Sequence, residues 1–126
     1  LNMLPEEERI AHYAACDMAV FPSLYEPFGI VALEAMAFKK PIVVGARGVS
    51  GLKEIVIASG PDQCGYHINP YDPRDIAWGI TSTLMDEKHL RSMGEKARER
   101  VLSEFTWERV AGKIMEVYAK VADGKR

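Results

Sequence analysis

Short apolar runs alternate with longer amphipathic stretches along the chain. Residues 18–21 and 41–45 are apolar and bounded by Pro, Ser or Gly, which predicts buried strands that end in loops. Residues 66–68 form a weaker third candidate. Between the first two runs, residues 29–38 are apolar on nearly every side except at Glu34, which predicts a buried crossover helix. A strand, a helix and a strand in this order form a βαβ unit, so we predict an α/β fold with a parallel sheet.

The remaining segments have the apolar spacing of helices. Residues 5–16 start with a proline and three glutamates, which favour a helix N-terminus. Asp72 and Pro73 are typical of an N-cap and a first helical residue, and apolar positions repeat at helical spacing after a polar break at residues 86–88. A last helix is predicted from Thr106, and its apolar stripe indicates that it docks on the rest of the domain. The stripe consists of Trp107, Val110, Ala111, Ile114, Val117, Tyr118 and Val121.

Composition and charge argue against several classes of protein. The 126 residues are 48% hydrophobic and 27% charged with a formal net charge of -2, which is ordinary for one globular domain and gives no general attraction to nucleic acid. No apolar run approaches the roughly 20 residues that span a bilayer, and no secretory signal is visible, so we expect a soluble, cytoplasmic protein. The cysteines and histidines are too scattered for a disulfide scaffold or a local metal site, so we predict neither a metal nor a cofactor. They are Cys16, Cys64, His12, His67 and His89.

The most informative segment joins the end of the first strand to the start of the crossover helix. In an open parallel sheet, ligands bind beyond the carboxyl ends of the strands, where the free N–H groups and the positive dipole of a helix N-terminus attract phosphates. Gly29 leaves room there for such an anion. Glu34 shares a helix face with Ile30 and can accept hydrogen bonds from both hydroxyls of a ribose attached to the phosphates. Glu26, just before the helix, is expected to point towards a sugar on the far side of a diphosphate.

Two glutamates with seven residues between them, placed around Pro-Phe-Gly, resemble the E-x7-E motif of retaining glycosyltransferases with the GT-B fold, which include glycogen synthase, starch synthase and sucrose synthase relatives. Residues 17–23, 34–37 and 41–44 are similar to the family's strand, helix and next strand around this motif, and residues 105–108 are similar to the start of its last helix. The resemblance implies a Rossmann-like three-layer α/β/α domain with a parallel sheet, the C-terminal nucleotide-sugar-binding domain of such an enzyme.

The same resemblance implies roles for individual residues. Glu26 would hold hydroxyls of the donor sugar and is the catalytic candidate, and Glu34 would hold the nucleotide ribose. The diphosphate would lie on the backbone of Phe28, Gly29, Ile30 and Val31. Alternatively, Glu34 is a carboxylate on the helix surface and Glu26 is a loop residue near the helix dipole. An unpaired Glu34 on so apolar a helix would be costly, which favours the functional interpretation.

The loop after the second strand and the end of the crossover helix differ from the family's pattern. Ser50 stands where a glycine is expected beside Gly51, in a loop that would contact the sugar. Lys39 and Lys40 replace a tight glycine turn and are interpreted as a solvated helix end. Arg47 is either a phosphate ligand or an exposed loop residue.

The resemblance also implies that the chain, which starts at Leu1, is one domain over residues 1–126 that is truncated on its N-terminal side. The family's acceptor-binding domain and basic phosphate-binding residues would precede it, so we expect the isolated chain to transfer no sugar. The strand at residues 18–21 would then have an exposed edge and favour a homo-oligomer; alternatively, the helix at residues 5–16 covers this edge. The expected partners are a nucleoside diphosphate sugar donor, a saccharide or other acceptor and the missing acceptor domain, with no nucleic acid.

Three functions are compatible with these residues. The first is the donor-binding portion of a retaining, metal-independent glycosyltransferase that uses an ADP- or UDP-linked sugar. The second is a non-catalytic module that binds nucleotide sugars. The third is a GT-B relative with different chemistry, such as a sugar-nucleotide epimerase or a phosphorylase, although no setting for the cofactor-bearing lysine of a phosphorylase is found. The spacing of the two glutamates favours the first.

Overall fold

A computed structural model describes residues 4–124 of the chain, so both ends of the predicted domain lie outside the described residues. Helices and strands alternate as far as residue 68, and only helices follow in the described part of the chain. The elements are α1 (Glu6–Ala15), β1 (Ala19–Phe21), α2 (Ile30–Ala37), β2 (Ile42–Gly45), α3 (Leu52–Ile55), β3 (Gly65–Ile68), α4 (Pro73–Leu84), α5 (Glu87–Glu104) and α6 (Trp107–Ala122).

The strands form one parallel sheet in the order β1-β2-β3. Ala19 lies opposite Ile42, and Ile42 lies opposite Gly65, so the three strands start at one edge and end together at the other. All residues of the central strand β2 are buried, as expected for a run of β-branched residues between two neighbours. The predicted βαβ unit and the parallel α/β fold are therefore confirmed.

Alternate residues of β2 face two different layers of helices. Ile42 and Val44 belong to the main core, which they share with residues of α2, α3 and α5. Val43 faces the other side, where a Cβ atom added to Gly79 of α4 would lie 2.8 Å from its Cγ1 atom. Helix α4 thus lies almost in backbone contact with the sheet, and the three-layer α/β/α arrangement is confirmed. The core residues are Ala32, Met36, Ile42, Val44, Leu52, Ile55, Val56, Cys64 and Ala97.

Side-chain caps set the starts of the last three helices. Asp72 accepts a hydrogen bond from the backbone N–H of Arg74, as its predicted N-cap role requires, and Thr106 caps α6 in the same way. Asp86 caps α5 by accepting from two backbone N–H groups of the first turn. The predicted break between two helices is present, but it lies at Met85 and Asp86, and residues 87–88 already belong to the first turn of α5.

The turn after α2 shows why lysine replaces glycine there. Lys39 has a φ angle of 58°, the left-handed conformation that a glycine would adopt at little cost. Its Nζ atom donates to Glu95 of α5 at 2.9 Å, and the Nζ atom of Lys40 donates to the carbonyl oxygen of Ala14 at 3.0 Å. Both lysines therefore tie the end of α2 to neighbouring helices and are more than a solvated helix end.

The last helix is not docked as predicted. No residue of α6 is buried, and Trp107 keeps 86% of its surface exposed. Val110, Ile114, Val117 and Tyr118 of its apolar stripe line, together with Phe28 and Phe105, an apolar groove of about 520 Å³. Helix α6 contacts α5, to which the ion pair between Lys113 and Glu104 also connects it.

The first strand and the first helix bear on the prediction of an exposed edge. Within residues 4–124, β1 pairs with β2 on one side and with no strand on the other. The side-chain contacts of α1 go to α2 and the turn after it: Tyr13 stacks on Phe38, and Arg9 pairs with Glu34. Homo-oligomer formation through this edge stays a prediction.

No helix in the described part of the chain combines the length and apolar character needed to cross a membrane. The cytoplasmic location and the lack of a nucleic-acid partner stay predictions of the sequence.

Candidate functional site

Two loops meet at the carboxyl edge of the sheet, one after β1 and one after β2. The backbone N–H of Glu26 donates to the carbonyl oxygen of Val49 at 3.1 Å, and the N–H of Gly51 donates to the carbonyl oxygen of Glu26 at 2.8 Å. Glu26 and Ser50 thereby form a parallel bridge outside the main sheet. The bridge fixes the backbone that carries the first glutamate of the motif against the loop predicted to contact a sugar.

Glycines make this close contact possible. A Cβ atom at Gly51 would lie 2.5 Å from the carbonyl oxygen of Pro27, which no real side chain tolerates. Gly29 has a φ angle of 102°, and a Cβ atom there would overlap the side chain of Leu52. Backbone conformation and packing thus already require Gly29, whether or not an anion approaches it. The sequence argument had given Gly29 only the role of leaving room for phosphates.

Ser50, which differs from the family's glycine, points into the protein. Ser50 is buried, and its Oγ atom donates a hydrogen bond to the carbonyl oxygen of Gly45 at 2.7 Å. The hydroxyl therefore supplies a partner for the last carbonyl group of β2. Because the side chain points inwards, the replacement of glycine by serine adds no side chain to the outer surface of this loop.

The N-terminus of α2 is open to solvent. Across the described residues 4–124, the backbone N–H groups of Ile30 and Val31 have no acceptor, and no side chain caps the helix. Ile30 is 64% exposed and Val31 is 38% exposed. The N–H of Phe28 donates to the Oε1 atom of Glu26 at 3.4 Å. A helix N-terminus with free donors and a positive dipole is suited to bind an anion.

Glu34 lies one turn into α2 and faces α1. Its carboxylate is 3.3 Å from the Nη2 atom of Arg9, and its side chain is 29% exposed. The hydroxyl of Tyr13 lies near Glu34; burial raises the pKa of this hydroxyl, and the negative charge of Glu34 raises it further. The argument that Glu34 would be an unpaired carboxylate was therefore wrong, because Arg9 of α1 pairs with it.

Sequence reasoning missed Arg9 and Tyr13, although a signal for them existed. They are four residues apart on α1 and so share one face of that helix. An arginine and a tyrosine on one face could have indicated a partner for a carboxylate on the neighbouring helix. Nothing in the sequence, however, indicated that α1 packs on α2 with this face.

The predicted site residues divide into two groups. Glu26, Phe28 and Gly29 belong to the bridged loop, and Phe28 lines a groove of about 510 Å³ between the two loops and Phe105. Glu34 instead lines a smaller groove of about 220 Å³ between α1 and α2. Ile30 and Val31, at the start of α2, lie between these two sets of residues in the sequence. Arg47 is exposed, as one of its two interpretations required.

No cluster of three or more His, Cys, Asp or Glu side chains that could share a metal ion is found among residues 4–124.

The parallel sheet with helices on both faces fits the α/β Rossmann-like C-terminal domain of the GT-B class. Comparison with known families agrees with this assignment. The model of the family described as Glycosyl transferases group 1 matches residues 1–100, and the chain belongs to this family.

Individual relatives fit the same family. The chain is 37% identical to glycogen synthase of Mycobacterium tuberculosis over 123 residues, which cover 98% of the chain and 28% of that protein. It is 39% identical to an uncharacterized glycosyltransferase of Methanocaldococcus jannaschii over 106 residues, 84% of the chain and 26% of that protein. Among solved structures, sucrose-phosphate synthase from Thermosynechococcus elongatus matches with a TM-score of 0.81 and 35% identity over 98% of the chain and 30% of that structure.

The chain thus spans between a quarter and a third of the length of these relatives. The relatives are glycosyltransferases, and the resemblance to the GT-B family is confirmed.

Proposed function

We propose that this chain is the donor-binding portion of a retaining glycosyltransferase, which transfers a sugar from an ADP- or UDP-linked donor to a saccharide or other acceptor. One observation carries the proposal. Among the described residues, the open N-terminus of α2, with the free N–H groups of Ile30 and Val31, lies at the carboxyl edge of a parallel sheet, with Glu26 in the loop before the helix and Glu34 one turn into it.

The start of α2 would bind the diphosphate. The N–H groups of Ile30 and Val31 are free to donate, and the dipole of the helix adds a positive field. When the bond between nucleotide and sugar breaks, negative charge grows on the departing diphosphate. Donors that are already in place stabilise that charge without having to reorganise, which is the kind of effect that often dominates catalysis. This chemistry requires no metal and no protein nucleophile.

The two glutamates would bind opposite ends of the donor. Glu34, held by Arg9, would accept hydrogen bonds from the ribose hydroxyls. Glu26 would turn from the N–H of Phe28 towards hydroxyls of the sugar, and its bond to that N–H is long enough, at 3.4 Å, to be exchanged at small cost. Glu26 is therefore the catalytic candidate.

Transfer also requires an acceptor held against the donor, because orientation of the two reactants supplies much of the rate. We propose that this role belongs to an acceptor-binding domain outside the present chain. Incubation of the isolated chain with labelled donors and glucan acceptors should then yield no product above the blank. Product that appears with the purified chain and disappears in Glu26→Ala would contradict this division of labour.

Calorimetry with ADP-glucose and UDP-glucose tests the donor site. Glu34→Ala should weaken binding of the donor by about tenfold or more, because a hydrogen bond to a charged group is worth about 1.5 to 3 kcal/mol. Glu116→Ala, which removes an exposed carboxylate from α6, is the matched control and should bind like the original chain. Unchanged affinity in Glu34→Ala would contradict the ribose assignment. No binding of either donor by the original chain would contradict the proposed function.

A further inference from the structure

Arg100 of α5 reaches across to the end of the short helix α3. Its Nε atom donates to the carbonyl oxygen of Ile55 at 2.6 Å, and its Nη2 atom donates to the carbonyl oxygen of Glu54 at 2.7 Å. The last carbonyls of any helix lack partners within the helix, and a cation is favoured at this end of the helix dipole. The planar fork of arginine matches two adjacent carbonyls in a way that a lysine could not.

The position of α3 determines the position of the bridged loops. Helix α3 starts directly after Gly51, whose N–H holds the carbonyl oxygen of Glu26. Leu52 and Ile55 anchor one face of α3 in the core, which fixes its depth. The bonds from Arg100 fix its far end and so resist rotation about that apolar face.

A second contact leads from the same arginine to the other loop. The guanidinium of Arg100 lies 5.5 Å from the centre of the Phe105 ring, within the range of a cation–π interaction. The Phe105 ring in turn meets the ring of Phe28 edge-on, with the centres 6.4 Å apart. Phe28 is the residue whose N–H donates to the carboxylate of Glu26.

We infer that Arg100 and Phe105 are positioning residues that hold the two bridged loops in the arrangement that binds the sugar of the donor. They act through α3 and Phe28 and do not touch the donor. This inference rests on the proposed function for the identity of the ligand, whereas the effect on the loops follows from the contacts alone. A purely structural role would instead be to add stability to the domain as a whole.

Hydrogen exchange measures the effect on the loops without any ligand. In Arg100→Gln, the amides of Glu26 and Gly51 should exchange at least about tenfold faster, since bonds to a charged group are lost, while Val43 and Val44 of β2 keep their protection. Phe105→Leu keeps the hydrogen bonds of Arg100 and should affect the amide of Phe28 most. Arg91→Gln removes an exposed arginine of the same helix, which pairs with Glu87, and should change none of these amides. The inference would be overturned if exchange became faster by the same factor at all amides. It would also be overturned if exchange at Glu26 and Gly51 did not change.

Calorimetry with the nucleoside diphosphate alone and with its glucose conjugate measures the effect on the sugar. The ratio of the two affinities reports the contribution of the sugar, and Arg100→Gln should reduce that contribution while the affinity for the free diphosphate stays the same. An unchanged ratio, together with normal loop exchange, would refute the positioning role. If the original chain binds no donor at all, the proposed function fails, and the exchange measurement still decides whether Arg100 and Phe105 hold the loops.

Discussion

The guanidinium of Arg9 lies 3.3 Å from the carboxylate of Glu34, so the first helix holds the residue that the motif spacing assigns to the ribose. Arg9 is 44% exposed, and ion pairs of this exposure contribute little to stability, typically about 1 kcal/mol or less. Orientation is the more important consequence. The ion pair with Arg9 restricts the orientation of the Glu34 carboxylate, which lines the groove between α1 and α2.

Tyr13→Phe tests this orientation. The variant removes the hydroxyl that lies near Glu34 and keeps the ring that stacks on Phe38. We expect affinity for ADP or UDP to fall about fivefold, since the carboxylate loses a polar neighbour whose contribution is about 1 kcal/mol. Tyr118→Phe, on the exposed face of α6, is the control and should leave affinity unchanged. Equal affinities in all three proteins would show that Tyr13 does not orient Glu34.

Gly51→Ala tests the bridge between the loops. The new Cβ atom would lie 2.5 Å from the carbonyl oxygen of Pro27, so the loops must separate, and we expect a loss of about 1 to 3 kcal/mol in the free energy of unfolding. Gly112→Ala is the matched control, because a Cβ atom at Gly112 meets nothing within 4 Å inside α6. That variant should be more stable by about 0.5 to 1 kcal/mol. Urea unfolding of both variants gives the comparison, and a fully stable Gly51→Ala would argue against a tight bridge.

Burial of Cys64 predicts a loss of stability in alkali. Burial raises the pKa of its thiol above the ordinary value of 9.0. The folded chain therefore keeps the proton at a pH where the unfolded chain has released it. The resulting stability is fully present below pH 9.0 and is lost as the pH rises through the raised value. Cys64→Ala should lose less stability than the original chain between neutral and alkaline pH in urea unfolding. Identical losses in both proteins would contradict this assignment.

Within residues 4–124, one side of β1 pairs with no strand, which predicts self-association. The run at residues 18–21 carries no charge or internal proline that would block pairing with a second copy, and α1 packs on α2. We expect light scattering over a wide range of concentrations to show a homo-oligomer. A monodisperse monomer throughout, with the amides of Ala19 to Phe21 protected from hydrogen exchange, would contradict edge pairing.

Local sequence signals predicted much of this fold. Strands β1 and β2 were predictable because each is a short apolar run. The starts of α4 and α6 were predictable because Asp72 and Thr106 lie directly before these helices. The short helix α3 was missed, since four residues cannot show a helical period. The exposure of α6 was also missed, because an apolar stripe indicates that a helix can dock but not whether a surface lies within reach.

The candidate site was predictable only in part. The spacing of Glu26 and Glu34 is visible in the sequence. The partners of these residues come from distant segments: Val49 and Gly51 for Glu26, and Arg9 for Glu34. Such contacts depend on how helices and loops pack, which one sequence does not specify. Arg100 is the clearest case, as it contacts carbonyl groups 45 and 46 residues earlier in the chain.

An NMR titration with ADP-glucose and UDP-glucose tests the central claim most directly. It follows the chemical shifts of the backbone amides at the start of α2. The account predicts that the amides of Ile30 and Val31 shift strongly and saturably with one of the two donors, because their N–H groups would bind the diphosphate, while the amide of Gly112 in α6 stays in place. Saturable binding that shifts other amides and leaves Ile30 and Val31 unchanged would contradict the account.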